Sequence, residues 1–550
     1  VSAPAQSVGR SGAVMAAGTL SSRLAGMLRA LLLTSVIGGT GLAAEAFTVA
    51  NTLPNSLYLL LAGGTLNAVL VPQIIRARTR PDAGEDFVNR LITAAIALFA
   101  VAAVVLTALS PLLVRLYFDT TDAGALKLAT VFAFICVPQV LFYGLYTIFG
   151  QVLNANGRFA AFTWAPLAAN LVAIGGLLWF LAEDLPVRVD PGAWTPRMVL
   201  ILAGTATISI AVQAAALVVP LRRMGFRYRP RWGLRGHGFE AVSDVAKWSF
   251  GSIVVVQVGY WVTTKVLTNA ASRADDAGIQ GAAGIAAFNP AQLLLMLPHG
   301  IVTVSLVTAL YTQLSEAASR DDHASVMRHH EQGLRMPAPL LLPVAALVLA
   351  TVPLVTATFF FENPLTDTEA IASVLVGLFG GVVPLGWVYL NDRVFYAQQQ
   401  TFWSFRTQCV VTGLSMTVAA FAATLPPQRT ATVLAFGQTF AYVVGAAVGW
   451  AVLRRQHGHI GLRGAGSVYL RVGVPAVVTA VVLGLVIRAL FPDFGVERGI
   501  GTFVTGVLVL GTAGVVEVAV TWGVAHLLGV EEVGRLLGPV LRRVRGLRRA

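Results

Sequence analysis

Apolar runs of about 20 to 28 residues recur about every 39 residues along this chain, separated by short polar connections. At about 1.5 Å of rise per residue, each run is long enough to cross a bilayer as a helix. The pattern predicts fourteen spans. They cover 12–37, 46–74, 89–115, 125–153, 160–182, 197–221, 240–268, 283–313, 334–360, 370–396, 403–424, 431–453, 470–491 and 500–527. Gly and Pro interrupt several of them, as in Leu53-Pro54-Asn55, Leu297-Pro298-His299-Gly300 and Gly380-Gly381-Val382-Val383-Pro384. Membrane helices tolerate these residues, and bends and close helix contacts are their physical consequence. Composition agrees: hydrophobic residues are 56% of 550 and charged residues 12%, far from a soluble globular chain. The expected fold class is therefore an all-α polytopic membrane protein.

Charge then orients the chain. With both termini cytoplasmic, 28 of the 39 Lys and Arg fall on the inner side, in or next to the N-terminal tail, the even-to-odd connections and the C-terminal tail. The positive-inside rule thus supports an even number of spans. The net charge of +13 is concentrated in headgroup-level segments such as Arg222-Arg223 through Arg235 and Arg542 through Arg549. No aromatic-interleaved groove accompanies them, so nucleic acid is excluded as a partner. Cys136 and Cys409 both lie in apolar spans and offer neither a disulfide framework nor zinc spacing, and no metal site is expected. The first span lacks the order of a signal peptide and is expected to remain as a helix.

A weak internal echo divides the chain. Asn51-Thr52-Leu53-Pro54-Asn55 in span two is answered by Asn289-Pro290-Ala291-Gln292 in span eight. Val71-Pro72-Gln73-Ile74 is similarly answered by Tyr311-Thr312-Gln313-Leu314. Two pseudo-symmetric six-helix lobes follow, 1–235 and 236–460, with two extra C-terminal helices over 461–530 and a basic cytoplasmic tail, 531–550. Transporters built from such repeats hold substrate between the lobes.

The charges inside the spans carry the candidate chemistry. Arg23 and Arg29 lie within span one, and an arginine at that depth requires an anionic partner or a wet cavity. Six residues apart, they stand about 120° apart around the helix axis. Long guanidinium side chains at that separation can still converge on the oxygens of a phosphate group. Glu45, at the start of span two, is a candidate gate or a favourable helix-terminal charge. Lys265 either snorkels from span seven or adds a cavity cation. Glu517 is flanked by apolar residues, Asp392-Arg393 reads as a local pair or a loop-orienting device, and His323, His329 and His330 cluster in a connection expected to be solvated. No serine elbow, HExxH or phosphate-cradling glycine loop is present, so a transporter rather than an enzyme is expected.

With those residues in view, the chain resembles the MurJ (MviN) family of lipid II flippases, of the multidrug/oligosaccharidyl-lipid/polysaccharide exporter superfamily, most of all its high-GC Gram-positive members. The resemblance is carried by Ser22-Arg23-Leu24-Ala25-Gly26-Met27-Leu28-Arg29, by Glu45 through Asn55, and by Val71-Pro72. Val137 through Gly144, Leu153 through Phe159, Ala165-Pro166, Asn170 and Arg393-Val394-Phe395-Tyr396-Ala397 complete it. It implies a cationic cavity between the lobes and a lipid-tail groove on the last two helices. It also implies movement of the undecaprenyl-diphosphate-linked peptidoglycan precursor across the bacterial plasma membrane by alternating access. Arg23 and Arg29 match the arginines associated with the substrate diphosphate, and Glu45 stands where many members have Asp. Asn55, Tyr58 and Gln292 are the expected cavity lining, Tyr58 and Gln292 falling about where many members carry further arginines. That departure keeps export of another polyprenyl-linked glycan, of capsule or teichoic type, as the alternative; a membrane glycosyltransferase is the remaining class. No cofactor is expected beyond coupling to the membrane potential or a cation, and the expected partners are lipid II, membrane lipids and cell-wall synthesis proteins.

Overall fold

The computed structural model describes residues 5–62, 85–233, 244–495 and 498–535. Helices account for the architecture, and no strand occurs among the described residues. Over the described residues, every predicted span coincides with a helix or with a run of helices. These are α1 (Ala5–Ile37), α2 (Leu42–Ala62), α3 (Glu85–Ala108, continued by Ser110–Tyr117), α4 (Ala123–Ala155), α5 (Phe159–Ala182), α6 (Pro196–Arg223) and α7 (Asp244–Asp276). There follow α8 (Ile285–Ser319), α9 (His323–Ala350, continued by Val352–Phe359), α10 (Leu365–Phe379 and Val382–Ala397), α11 (Thr401–Ala422), α12 (Pro427–His457), α13 (Leu462–Leu490) and α14 (Ile500–Leu527).

Among the described residues, eleven of these helices are long and apolar enough to span a bilayer alone, and α10 makes a twelfth when its two halves are joined across a 47° bend. The other two are α2, beyond which the rest of the predicted second span, Val71-Pro72 included, lies outside the described residues, and α11, diluted by Ser404, Arg406, Thr407 and Gln408. The bend in α10 falls at Gly380-Gly381, as the Gly and Pro positions predict, and α4 also breaks at Val137-Pro138. Large apolar side chains such as Leu98, Val104, Leu508 and Val515 are exposed on these helices, the pattern of a lipid-facing surface.

The chain divides into two compact units, Val1–Ala286 and Ala287–Ala550. In the first, α1 lies along α5: the Trp164 indole donates to Val14 O at 3.2 Å and the Asn170 amide to Ser22 O at 2.9 Å. Helix α4 closes tightly on α3, where a Cβ on Gly144 would come within 2.2 Å of the Phe99 ring; only glycine permits that approach. Helix α7, which the repeat assigned to the second lobe, falls in this first unit. Its Thr268 and Ser272 hydroxyls accept from the amides of Asp119 and Thr121, and Gln257 donates to Ser56 O.

In the second unit α10 is the hub. Asn391 donates to Ala446 O on α12 and contacts Nε2 of His330 on α9 at 2.9 Å. The Trp387 indole donates to the Tyr469 hydroxyl, which donates in turn to Leu334 O. His323, His329 and His330 lie on the first turns of α9 rather than in a loop; His323 is exposed, His329 half-buried and His330 fully buried. The final pair packs on α9, with the Trp522 indole of α14 donating to Pro339 O at 2.7 Å.

Candidate functional site

The α1–α5 seam positions the site. Ser22 and Gly26 face Asn170, and one turn further on Arg29 and Leu33 reach a small cavity between α1, α2, α5 and α6. Phe47, Asn51, Ala173, Leu177, Leu202, Thr205 and Ala206 complete its walls, which enclose about 30 Å³. That is about the share of one liquid water. The Arg29 Nε is buried without a hydrogen-bond partner, and Arg29 forms no ion pair among the described residues. A guanidinium left in this condition within a membrane helix holds unused donor capacity directed at the cavity.

Polar groups continue from this point. Tyr143 is the electrostatic neighbour of Arg29; its ring lies 5.8 Å from that of Tyr58, whose hydroxyl meets Thr147 Oγ1 at 2.6 Å. Asn51 accepts from the Gln139 amide at 3.4 Å, and Gln139 also donates to Thr207. Tyr58 does not line the Arg29 cavity; of its polar lining residues, Asn51 and Thr205 were not singled out in the sequence, nor was Gln139, which contacts Asn51. Their signal was available in part, because Asn51 and Gln139 are uncharged amides inside otherwise apolar runs.

The other expected residues disperse. Arg23 is half-buried, makes no hydrogen bond or ion pair among the described residues, and does not line the Arg29 cavity, as the 120° separation on α1 requires. Asn55 is exposed and Gln292 half-buried, and neither lines that cavity. Lys265 is half-buried beside Thr264 and has no ion pair among the described residues.

Glu45 occupies a different kind of position. It is fully buried, and its two carboxylate oxygens accept from the backbone amides of Ile285 at 2.9 Å and Ala286 at 3.0 Å, the first residues of α8. Those amides have no intrahelical acceptor, so the carboxylate caps them and meets the positive end of the helix dipole. Gly284 makes the contact possible: a Cβ there would stand 2.2 Å from Glu45 Oε1. In this conformation the carboxylate is engaged by backbone and not by an arginine.

Helices broken at Pro and Gly, a lipid-exposed surface and an uncompensated cation at an internal cavity define a multi-pass helical membrane protein built like a transporter. The same fold occurs in a solved "Lipid II flippase MurJ, inward closed conformation", with a TM-score of 0.68 and 15% identity, covering 92% of this chain and 98% of that one. It occurs also in an inward-facing multidrug resistance MATE family transporter of the MOP superfamily (TM-score 0.57, 15% identity, 80% and 94% covered). The family model "Lipid II flippase MurJ" matches residues 35–499, and the chain belongs to that family. Curated relatives include probable lipid II flippases MurJ of Rhizobium tropici (25% identical, 94% of each chain covered) and Rhizobium meliloti (24%; 80% of this chain and 79% of the relative). The counterpart in Vibrio cholerae is 23% identical over 71% of this chain and 73% of its own length.

Proposed function

We propose that this chain carries lipid II, the undecaprenyl-diphosphate-linked peptidoglycan precursor, from the inner to the outer leaflet of a bacterial plasma membrane by alternating access. Both termini then face the cytoplasm, as the arginine-rich connections favour. The observation that carries the reading is Arg29, half-buried in the lining of a cavity, with no ion pair among the described residues and a buried Nε that has no hydrogen-bond partner. A diphosphate supplies the acceptor oxygens that Arg29 lacks, and charge-assisted bonds to it strengthen in a dry site. At about 30 Å³ the cavity is closed to a headgroup in this conformation, so binding requires an open state selected by the substrate. Arg23, on the adjoining face of α1, joins Arg29 as the second diphosphate ligand in that open state. No bond is made or broken, and the membrane potential or a coupled cation supplies direction.

Export of another polyprenyl-linked glycan is favoured by one observation, the neutral Tyr58 and Gln292 where many relatives are basic. Depleting the resident flippase of a bacterial host and measuring lipid II accessibility at the outer leaflet separates the two. This chain is expected to restore accessibility. Failure to do so, with the chain inserted and another lipid-linked glycan exported, overturns lipid II as the substrate.

A further inference from the structure

A second cavity, of about 650 Å³, lies between α3, the end of α4 and the end of α6. Its inner walls are apolar, formed by Ile92, Ile96, Phe149, Val218 and Leu221. Its remaining wall is the segment after α6, where Phe226 and Tyr228 sit among Arg222, Gly225 and Arg227. This segment is strapped to α3. The Arg229 amide donates to Asn89 Oδ1 at 2.7 Å and the Arg231 amide to Thr93 Oγ1 at 3.1 Å, while the Tyr228 hydroxyl meets Thr93 Oγ1 at 3.0 Å. Arg90 binds Asp86 at 2.8 Å and donates to Trp232 O, and the Arg231 guanidinium pairs with Asp86.

The strap therefore commits Arg231 to protein. Arg222 and Arg227 line the cavity and are exposed, with no side-chain hydrogen bond or ion pair among the described residues. An apolar chamber that opens between two free guanidinium groups at the basic end of a membrane helix matches one ligand chemistry, a phosphate joined to a hydrocarbon chain. The volume falls in the range of ligand pockets. Water alone would leave the apolar walls without contacts, and a soluble phosphate would leave the chamber empty.

We infer that this cavity holds one anionic glycerophospholipid of the surrounding membrane, its phosphate between Arg222 and Arg227 and an acyl chain against Ile96, Phe149 and Val218. The site is separate from the Arg29 cavity and shares no lining residue with it.

Native mass spectrometry of the purified full chain tests this, after delipidation and titration with phosphatidylglycerol or phosphatidylcholine bearing identical acyl chains. One phosphatidylglycerol is expected to be retained at least about tenfold more tightly than phosphatidylcholine. The doubly substituted Arg222→Gln/Arg227→Gln chain is expected to lose that preference. Ile96→Trp, which fills the chamber and leaves both arginines, is expected to lower retention of both lipids. The exposed pair Arg158→Gln/Arg223→Gln removes equal charge away from the chamber and is expected to bind as the parent does. Retention unchanged in the first variant or in Ile96→Trp overturns the inference, as does an equal loss in the exposed pair, which marks diffuse attraction to the basic face.

Discussion

Arg29 in the first unit and Arg393 in the second are both cations on membrane helices, and the chain treats them in opposite ways. The Arg393 guanidinium lies over the Tyr389 ring at 4.6 Å, with Tyr396 at 5.8 Å and Tyr311 at 5.9 Å. Its neighbour Asp392 accepts from the Ser404 hydroxyl at 2.7 Å and so orients the turn into α11 rather than pairing with the arginine. Arg335 is likewise accounted for, bridging Glu532 at 2.7 Å and Glu331 at 3.4 Å. Arg29 has no such company. A membrane arginine whose charge is met by carboxylates or rings of its own chain is structural, whereas Arg29, with no ion pair among the described residues, is the one open to a ligand.

Three substitutions test that contrast. Glu45→Ala orphans the buried Ile285 and Ala286 amides, at about 1–3 kcal/mol for each donor left unsatisfied. A fall of several degrees in thermal unfolding temperature in detergent is expected, and an unchanged melting curve would remove Glu45 from the structural class. Glu532→Gln discharges the partner of Arg335 and is expected to cost about 1–3 kcal/mol of stability without impairing flipping. Urea titration with a parallel complementation assay reads both effects; lost flipping at normal stability would give the C-terminal pair a direct role. Arg393→Lys keeps the charge but weakens stacking on three tyrosines, about 0.5–2 kcal/mol, with growth of a complemented strain unaffected.

Most of the fold was legible because each helix had to be apolar over a bilayer's thickness, and Gly380-Gly381 marked a break that the structure shows. The site was legible only in its charge. Arg29 stands out in an apolar run, but its cavity companions Asn51 and Thr205 come from α2 and α6, and nothing local pairs them with α1. Glu45 was harder, since its partners are backbone amides 240 residues away, and a backbone donor leaves no residue type to search for. His330 was misplaced for a related reason. Polar neighbours suggested a solvated loop, yet a single contact with Asn391 lets the ring sit inside the packing of α9 and α10.

The account rests on an arginine whose partner is the substrate, and direct binding is its most immediate test. Purified chain titrated with lipid II is predicted to bind at least about tenfold more weakly as Arg29→Ala, the loss of a charge-assisted contact, while Arg393→Ala binds as the parent does. Equal affinity of the Arg29→Ala and parent chains would contradict the assignment of Arg29 to the diphosphate.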